Sequence, residues 1–143
     1  MAVAAVDVVD EYVTALPGET RRLAHGEWGI TMSADQANGW PLEIGVRVAD
    51  GILCVQAFAL AASEALNPWN FLHWNRQTRY ARFACTEAGD IWVQGELPAK
   101  DLDEQAVDRL LGLVVEGALI ARQYAAGLAG DAEPPPAGQL PGD

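Results

Sequence analysis

The chain has 143 residues, half of them hydrophobic; that suits one packed domain able to hold its core without a disulfide or a metal, and it excludes general disorder. Twenty acidic against nine basic side chains leave a net charge of −11, which disfavours direct contact with nucleic acid or an anionic membrane and favours basic partners. Two cysteines, Cys54 and Cys85, form no CxxC pair, so neither a disulfide framework nor a zinc site is expected and no cofactor is implied.

The first ten residues already carry Asp7 and Asp10 and no basic stretch, so they are not read as a signal peptide. No apolar run reaches the ~18 residues that cross a bilayer. The expected location is the cytoplasm.

Val3, Val6, Val9, Val13 and Leu16 recur at helical spacing, with Asp7, Asp10 and Glu11 between them. This predicts a short amphipathic helix ending before Pro17-Gly18. His25 is placed in a loop beside Arg21 and Arg22. Glu27 to Met32 reads as a strand with Trp28, Ile30 and Met32 on one face. After a turn-rich stretch, Ala34 to Gly39, the alternation of Leu42, Ile44, Val46 and Val48 with polar residues predicts a second strand. Asp50-Gly51 is the dipeptide of a type I′ hairpin turn, and Ile52 to Phe58 returns as the antiparallel partner, apolar on both faces and so central in the sheet.

Asn67-Pro68 pairs a capping residue with a proline suited to the first helical position. The helix is expected to run to about Thr78. Arg79 to Thr86 and Ile91 to Leu97 form a second hairpin around Glu87 to Asp90. Asp103 to about Ala126 is a long helix carrying Val107, Leu110, Leu111, Val114, Val115, Ala118 and Leu119. The Gly- and Pro-rich acidic tail, 127–143, is expected to be disordered and dispensable for folding. Helix, three strands, helix, two strands, helix: the order implies an α+β domain over residues 1–126, with an antiparallel sheet and its helices on one face.

The segment Asn70-Phe71-Leu72-His73-Trp74-Asn75-Arg76, followed by Arg79-Tyr80-Ala81-Arg82-Phe83, resembles the signature of the YbjN family. There a helix ends in a Trp-Asn-Arg element and an Arg-aromatic pair opens the next strand. The resemblance covers roughly Trp28 to Tyr124 and marks Trp74, Asn75, Arg76, Arg79 and Tyr80 as motif residues. It implies a fold like that of type III secretion chaperones, which dimerise and bind segments of other proteins. It carries no catalytic residues.

The residues alone point the same way. His25 and His73 are the only histidines, and no GxSxG, P-loop or HExxH pattern is present. A Cys85–His73 pair formed in space is the one catalytic alternative, but free cysteine is ordinarily a small buried hydrophobe. Asp101, Asp103, Glu104 and Asp108 suit the positive end of the long helix and need no active site. Arg76, Arg79 and Arg82 form the one basic cluster; docking of an acidic peptide is its functional reading, pairing with nearby carboxylates its ordinary one. Trp92, opposite in parity to Ile91 and Val93, should share the outer sheet face with Tyr80 and Arg82, an exposed apolar patch suited to an interface. The expected function is a non-enzymatic, chaperone-like adaptor, a homodimer that binds a segment of a partner protein. The alternative is an accessory factor in stress response or nucleic-acid transactions acting through a basic nucleic-acid-binding protein.

Overall fold

Asp50 and Gly51 adopt φ values of 53° and 75°, the left-handed pair that a type I′ turn demands. Around this turn the chain builds its central hairpin, β3 (Leu42–Ala49) with β4 (Ile52–Leu60). A computed structural model describes residues 4–129. Its other elements are α1 (Ala5–Thr14), β1 (Glu19–Ala24), β2 (Glu27–Met32), α2 (Pro68–Trp74), β5 (Ala81–Cys85), β6 (Ile91–Pro98) and α3 (Glu104–Ala129). The strands form one antiparallel sheet in the order β1-β2-β3-β4-β6-β5. Antiparallel strands and segregated helices make this the α+β class expected from the element order. β4 lies centrally, as its two apolar faces required.

Period-two alternation sorts the sheet into two faces. On one, the cross-strand rows Ile30–Ile44–Ala57–Val93–Phe83 and Trp28–Val46–Val55–Gly95–Ala81 are buried. The helices cover these rows. Val107, Leu110, Val114, Ala118 and Ala121 give α3 a buried stripe at spacings of three and four, which packs on β4, β6 and β5. Its 26 residues span about 39 Å at 1.5 Å per residue. α1 is tied to the same side twice: the Trp28 indole donates to Asp10 Oδ1 at 2.9 Å, and the Tyr12 hydroxyl donates to Asp108 Oδ1 at 2.6 Å.

The structure adds one strand to the expected order. β1, the sequence Glu-Thr-Arg-Arg-Leu-Ala, is exposed at five of its six positions and shows no apolar alternation. It was legible only as a loop around Arg21, Arg22 and His25. Tertiary contacts hold it. Arg21 reaches Glu43 across β2 at 3.1 Å, and Arg22 lies 3.7 Å from Asp10 of α1. Gly29 makes room for the first of these, since a Cβ there would stand 2.9 Å from Arg21 Cζ.

α3 continues to Ala129, three residues past the boundary expected at 126; the rest of the tail expected to be disordered, 130–143, lies outside the described residues. α2 begins where the sequence placed it. The Asn67 side chain accepts from the Trp69 amide at 3.1 Å and Pro68 takes the first position. Asn67→Ala is expected to lower stability by about 0.5–2 kcal/mol, measured by urea titration; an unchanged midpoint would mean that the cap is not what starts this helix.

Burial, then the hydrogen bond to Asp108, push the Tyr12 phenol well above its usual range. Its neutral form is the one the fold favours, so its contribution is complete below the ordinary tyrosine value near ~10 and is lost as pH rises beyond it. Tyr12→Phe should therefore cost about 1–2 kcal/mol at neutral pH and flatten the fall in stability above pH ~10. Equal alkaline slopes for the two proteins would exclude Tyr12 as the responsible group.

Candidate protein-binding surfaces

The motif segment divides into a structural half and an exposed half. Phe71 and Trp74, three apart on α2, turn inward and meet Phe83 and Tyr124 in edge-to-face contacts with ring centroids 4.9–6.2 Å apart. Asn70 donates to the Tyr124 hydroxyl at 2.9 Å. Asn75 accepts from the Phe83 amide at 2.7 Å and donates to the Phe83 carbonyl at 2.9 Å. This side chain pairs with β5 as a neighbouring strand would. It explains why α2 stops at Trp74 instead of running to Thr78: the residue after the helix is committed to the sheet.

Arg76, Arg79 and Arg82 differ in their ion-pair partners. Arg82 lies on β5 and pairs with Glu96 of β6 at 3.1 Å. Arg76 and Arg79 sit in the exposed connection between α2 and β5 and have no ion pair among the described residues. Tyr80 departs from the parity assigned to it. Its φ is 63°, and the Ala81 amide bonds to the Arg79 carbonyl at 2.6 Å, closing a three-residue turn. A bulky residue in this region stores strain of roughly 1–3 kcal/mol. The left-handed residue breaks the strand alternation, so Tyr80 does not join Arg82 and Trp92. It remains 60% exposed and lines a cleft with Leu97, Ala106, Arg109, Leu110 and Leu113, on the α3 side of the sheet.

Among the described residues the other face of the sheet carries no helix. Trp92 lies there as expected, opposite Phe58 of β4; their rings stack at 5.2 Å with 16° between planes. Beside them run the rows Gly29–Gly45–Gln56–Gln94–Arg82 and Glu27–Arg47–Cys54–Glu96. Ion pairs Arg21–Glu43, Arg47–Glu27 and Arg82–Glu96 cross this face at 3.1–3.8 Å. The missing side chain at Gly45 leaves a trough of about 510 Å³ bordered by Leu23, Arg47, Ile52 and Cys54. Burial, then the Glu96 carboxylate, push the Cys54 thiol up, against smaller opposing effects of Arg82 and Arg47. That is opposite to the shift that activates a nucleophilic cysteine. Cys85 is exposed at the end of β5. Among the described residues no group of His, Cys, Asp or Glu could hold a metal ion, and no helix is long and apolar enough to cross a membrane. On α2, Trp69 and Leu72 point outward, 74% and 58% exposed.

Sequence reasoning missed Arg122. It is 2% exposed and donates from Nε to the Ala59 carbonyl, from Nη1 to those of Ala37 and Trp40, and from Nη2 to that of Pro41, at 2.6–3.1 Å. Its guanidinium also lies 4.3 Å from the Trp40 ring centroid. Burial lowers its pKa, yet arginine stays protonated at any physiological pH. A signal was present: position 122 follows Ala118 by one helical turn on the apolar stripe, where a charge is out of place.

Among the described residues six antiparallel strands carry helices on one side only, and this fold is similar to those of solved structures. It is similar to the Yersinia pestis type III secretion chaperone SycH, solved in complex with a stable fragment of YscM2, at a TM-score of 0.59 and 14% identity, over 81% of this chain and 98% of that one. It is also similar to a chain of the ExsC–ExsE complex, at a TM-score of 0.53 and 15% identity, over 81% of this chain and 92% of that one. No protein-family model and no curated protein sequence matches the chain.

Proposed function

We propose that this protein is a non-enzymatic, chaperone-like adaptor of the cytoplasm, akin to the YbjN proteins, that binds a segment of a partner protein. The observation that carries this reading is the bare sheet face: among the described residues the helices lie on one side, and the stacked Phe58–Trp92 pair is set on the other. A bare face that carries a stacked aromatic pair beside ion pairs combines the groups found at protein interfaces. The fold supports the reading, because SycH was solved holding a fragment of another protein.

In this proposal a second copy of the chain covers the part of the bare face around Trp92 and Arg82, since a two-fold contact is self-complementary, and the rest of the face is open to the partner segment. Two chains of net charge −11 repel, so added salt should tighten the dimer. Sedimentation at low micromolar concentration tests this. A dimer that dissociates on Trp92→Glu is expected; a monomeric wild type removes the dimer from the proposal. Affinity capture with the immobilised full chain tests adaptor function, which fails if only background proteins are retained. The strong negative charge also favours a second reading, in which the captured partner is a basic nucleic-acid-binding protein and the chain serves stress response or nucleic-acid transactions.

A further inference from the structure

The nine basic side chains of this acidic protein are unevenly employed. Arg21, Arg22, Arg47 and Arg82 are in ion pairs, and Arg122 is buried among carbonyls. Among the described residues Arg76, Arg79, Lys100 and Arg109 have no ion pair. Arg109 lines the Tyr80 cleft, and Arg79 precedes Tyr80 in the chain, so two arginines without an ion pair among the described residues belong to the segments that meet at this cleft. Asp108, beside Arg109 in sequence, accepts the Tyr12 hydrogen bond on the α1 side.

The cleft encloses about 170 Å³. Leu110, fully buried, forms its floor, half-buried Leu97 and Leu113 its walls, and the exposed Tyr80 ring its lip. An apolar hollow with Arg109 in its lining is complementary to a branched aliphatic side chain flanked by carboxylates. The left-handed backbone of Tyr80 would suit glycine better. A large, exposed aromatic ring at this strained position is accounted for if it contacts something that the free chain lacks.

We propose that this cleft receives an aliphatic side chain from an acidic segment of the partner protein, with Tyr80 packing against it and Arg79 and Arg109 holding the neighbouring carboxylates. The proposal rests on the protein-binding reading and deepens it. The acidic character of the occupant is set by these arginines, and the negative far field of the protein limits its length: only carboxylates close to the arginines gain more from them than they lose to the rest of the surface.

The test is an NMR titration of the full-length protein with the peptide acetyl-Glu-Asp-Leu-Glu-Asp-amide, with versions carrying serine for leucine or lysine for every acid as controls. Saturable shifts are expected at residues 79–81, 97 and 106–113, weakening as salt is raised and absent with both controls. Arg79→Glu combined with Arg109→Glu should weaken binding about tenfold or more, the scale of a lost charge-assisted contact. Tyr80→Gly should weaken binding without lowering the melting temperature, which separates a contact role from a folding role. No saturable binding, shifts confined to the bare sheet face, or equal binding of the lysine peptide would overturn the proposal. So would loss of the dimer in the double variant, because a second copy would then cover the cleft. If the peptide fails while affinity capture still retains partners, the cleft assignment falls and the adaptor reading stands.

Discussion

Replacing Arg122 by methionine should lower stability by about 3–5 kcal/mol, the range for stripping one side of a buried charged hydrogen-bonding group. For a domain of this size that corresponds to a melting temperature lower by about 10–20 °C. Methionine keeps much of the stem volume, so the loss reports the polar contacts rather than a cavity. Arg122 is the bolt between α3, the bulged end of β4 and the connection from β2 to β3. Its four acceptors are the carbonyls of Ala59, Ala37, Trp40 and Pro41. Ala37 and Ala59 are fully buried, so their oxygens would be left without a donor and without water. Asn38, which bonds the Leu119 carbonyl at 3.3 Å, cannot replace them. Arg122→Lys should fail almost as badly, because one ammonium cannot reproduce a planar fork that spans two segments. Thermal unfolding checks the magnitude and amide exchange the location: protection should fall first in residues 34–41. A methionine variant that melts within two or three degrees of wild type (~1 kcal/mol) would show that the loop is held by other contacts.

Gly95 is the other position where one change should do large damage. It lies on β6 facing α3, paired with Ala81 of β5 and Val55 of β4. A Cβ there would be 2.6 Å from Leu110 Cδ1, 3.0 Å from the Tyr80 carbonyl oxygen and 3.3 Å from Val114 Cγ2. Leu110 is a flexible side chain but is fully packed, and the Tyr80 oxygen is backbone in an already strained turn. α3 approaches the sheet this closely because glycine stands at its contact point. Gly95→Ala is expected to cost about 1–3 kcal/mol through overpacking and Gly95→Val more, against the small gain that a β-former normally brings to a strand. A denaturant titration should show the order wild type, alanine, valine. An alanine variant as stable as wild type would mean that α3 shifts without loss.

What was legible in the sequence was what neighbouring residues decide among themselves. The alternation of Leu42 to Val48, the left-handed dipeptide Asp50-Gly51, the Asn67 cap and the apolar stripe from Val107 to Ala118 are local patterns, and each formed where it was read. The α+β class followed from the order of these pieces. β1 did not, because a polar edge strand has no periodicity of its own and is held by Glu43 and Asp10 from elsewhere in the chain. The end of α2 at Asn75 depended on Phe83, and the facing of Tyr80 on a backbone turn that overrides strand parity. The uncovered sheet face was foreseen from the parity of Trp92, but its partner Phe58 became visible only with the register. Arg122 and Gly95 were hidden for one reason: the carbonyls around the first belong to residues 63 to 85 positions away, and the clearance at the second is set by a helix packed across the strand. Local periodicity chooses helix or strand at short range, whereas satisfying a buried guanidinium or leaving room for a helix depends on atoms that only the folded chain brings together.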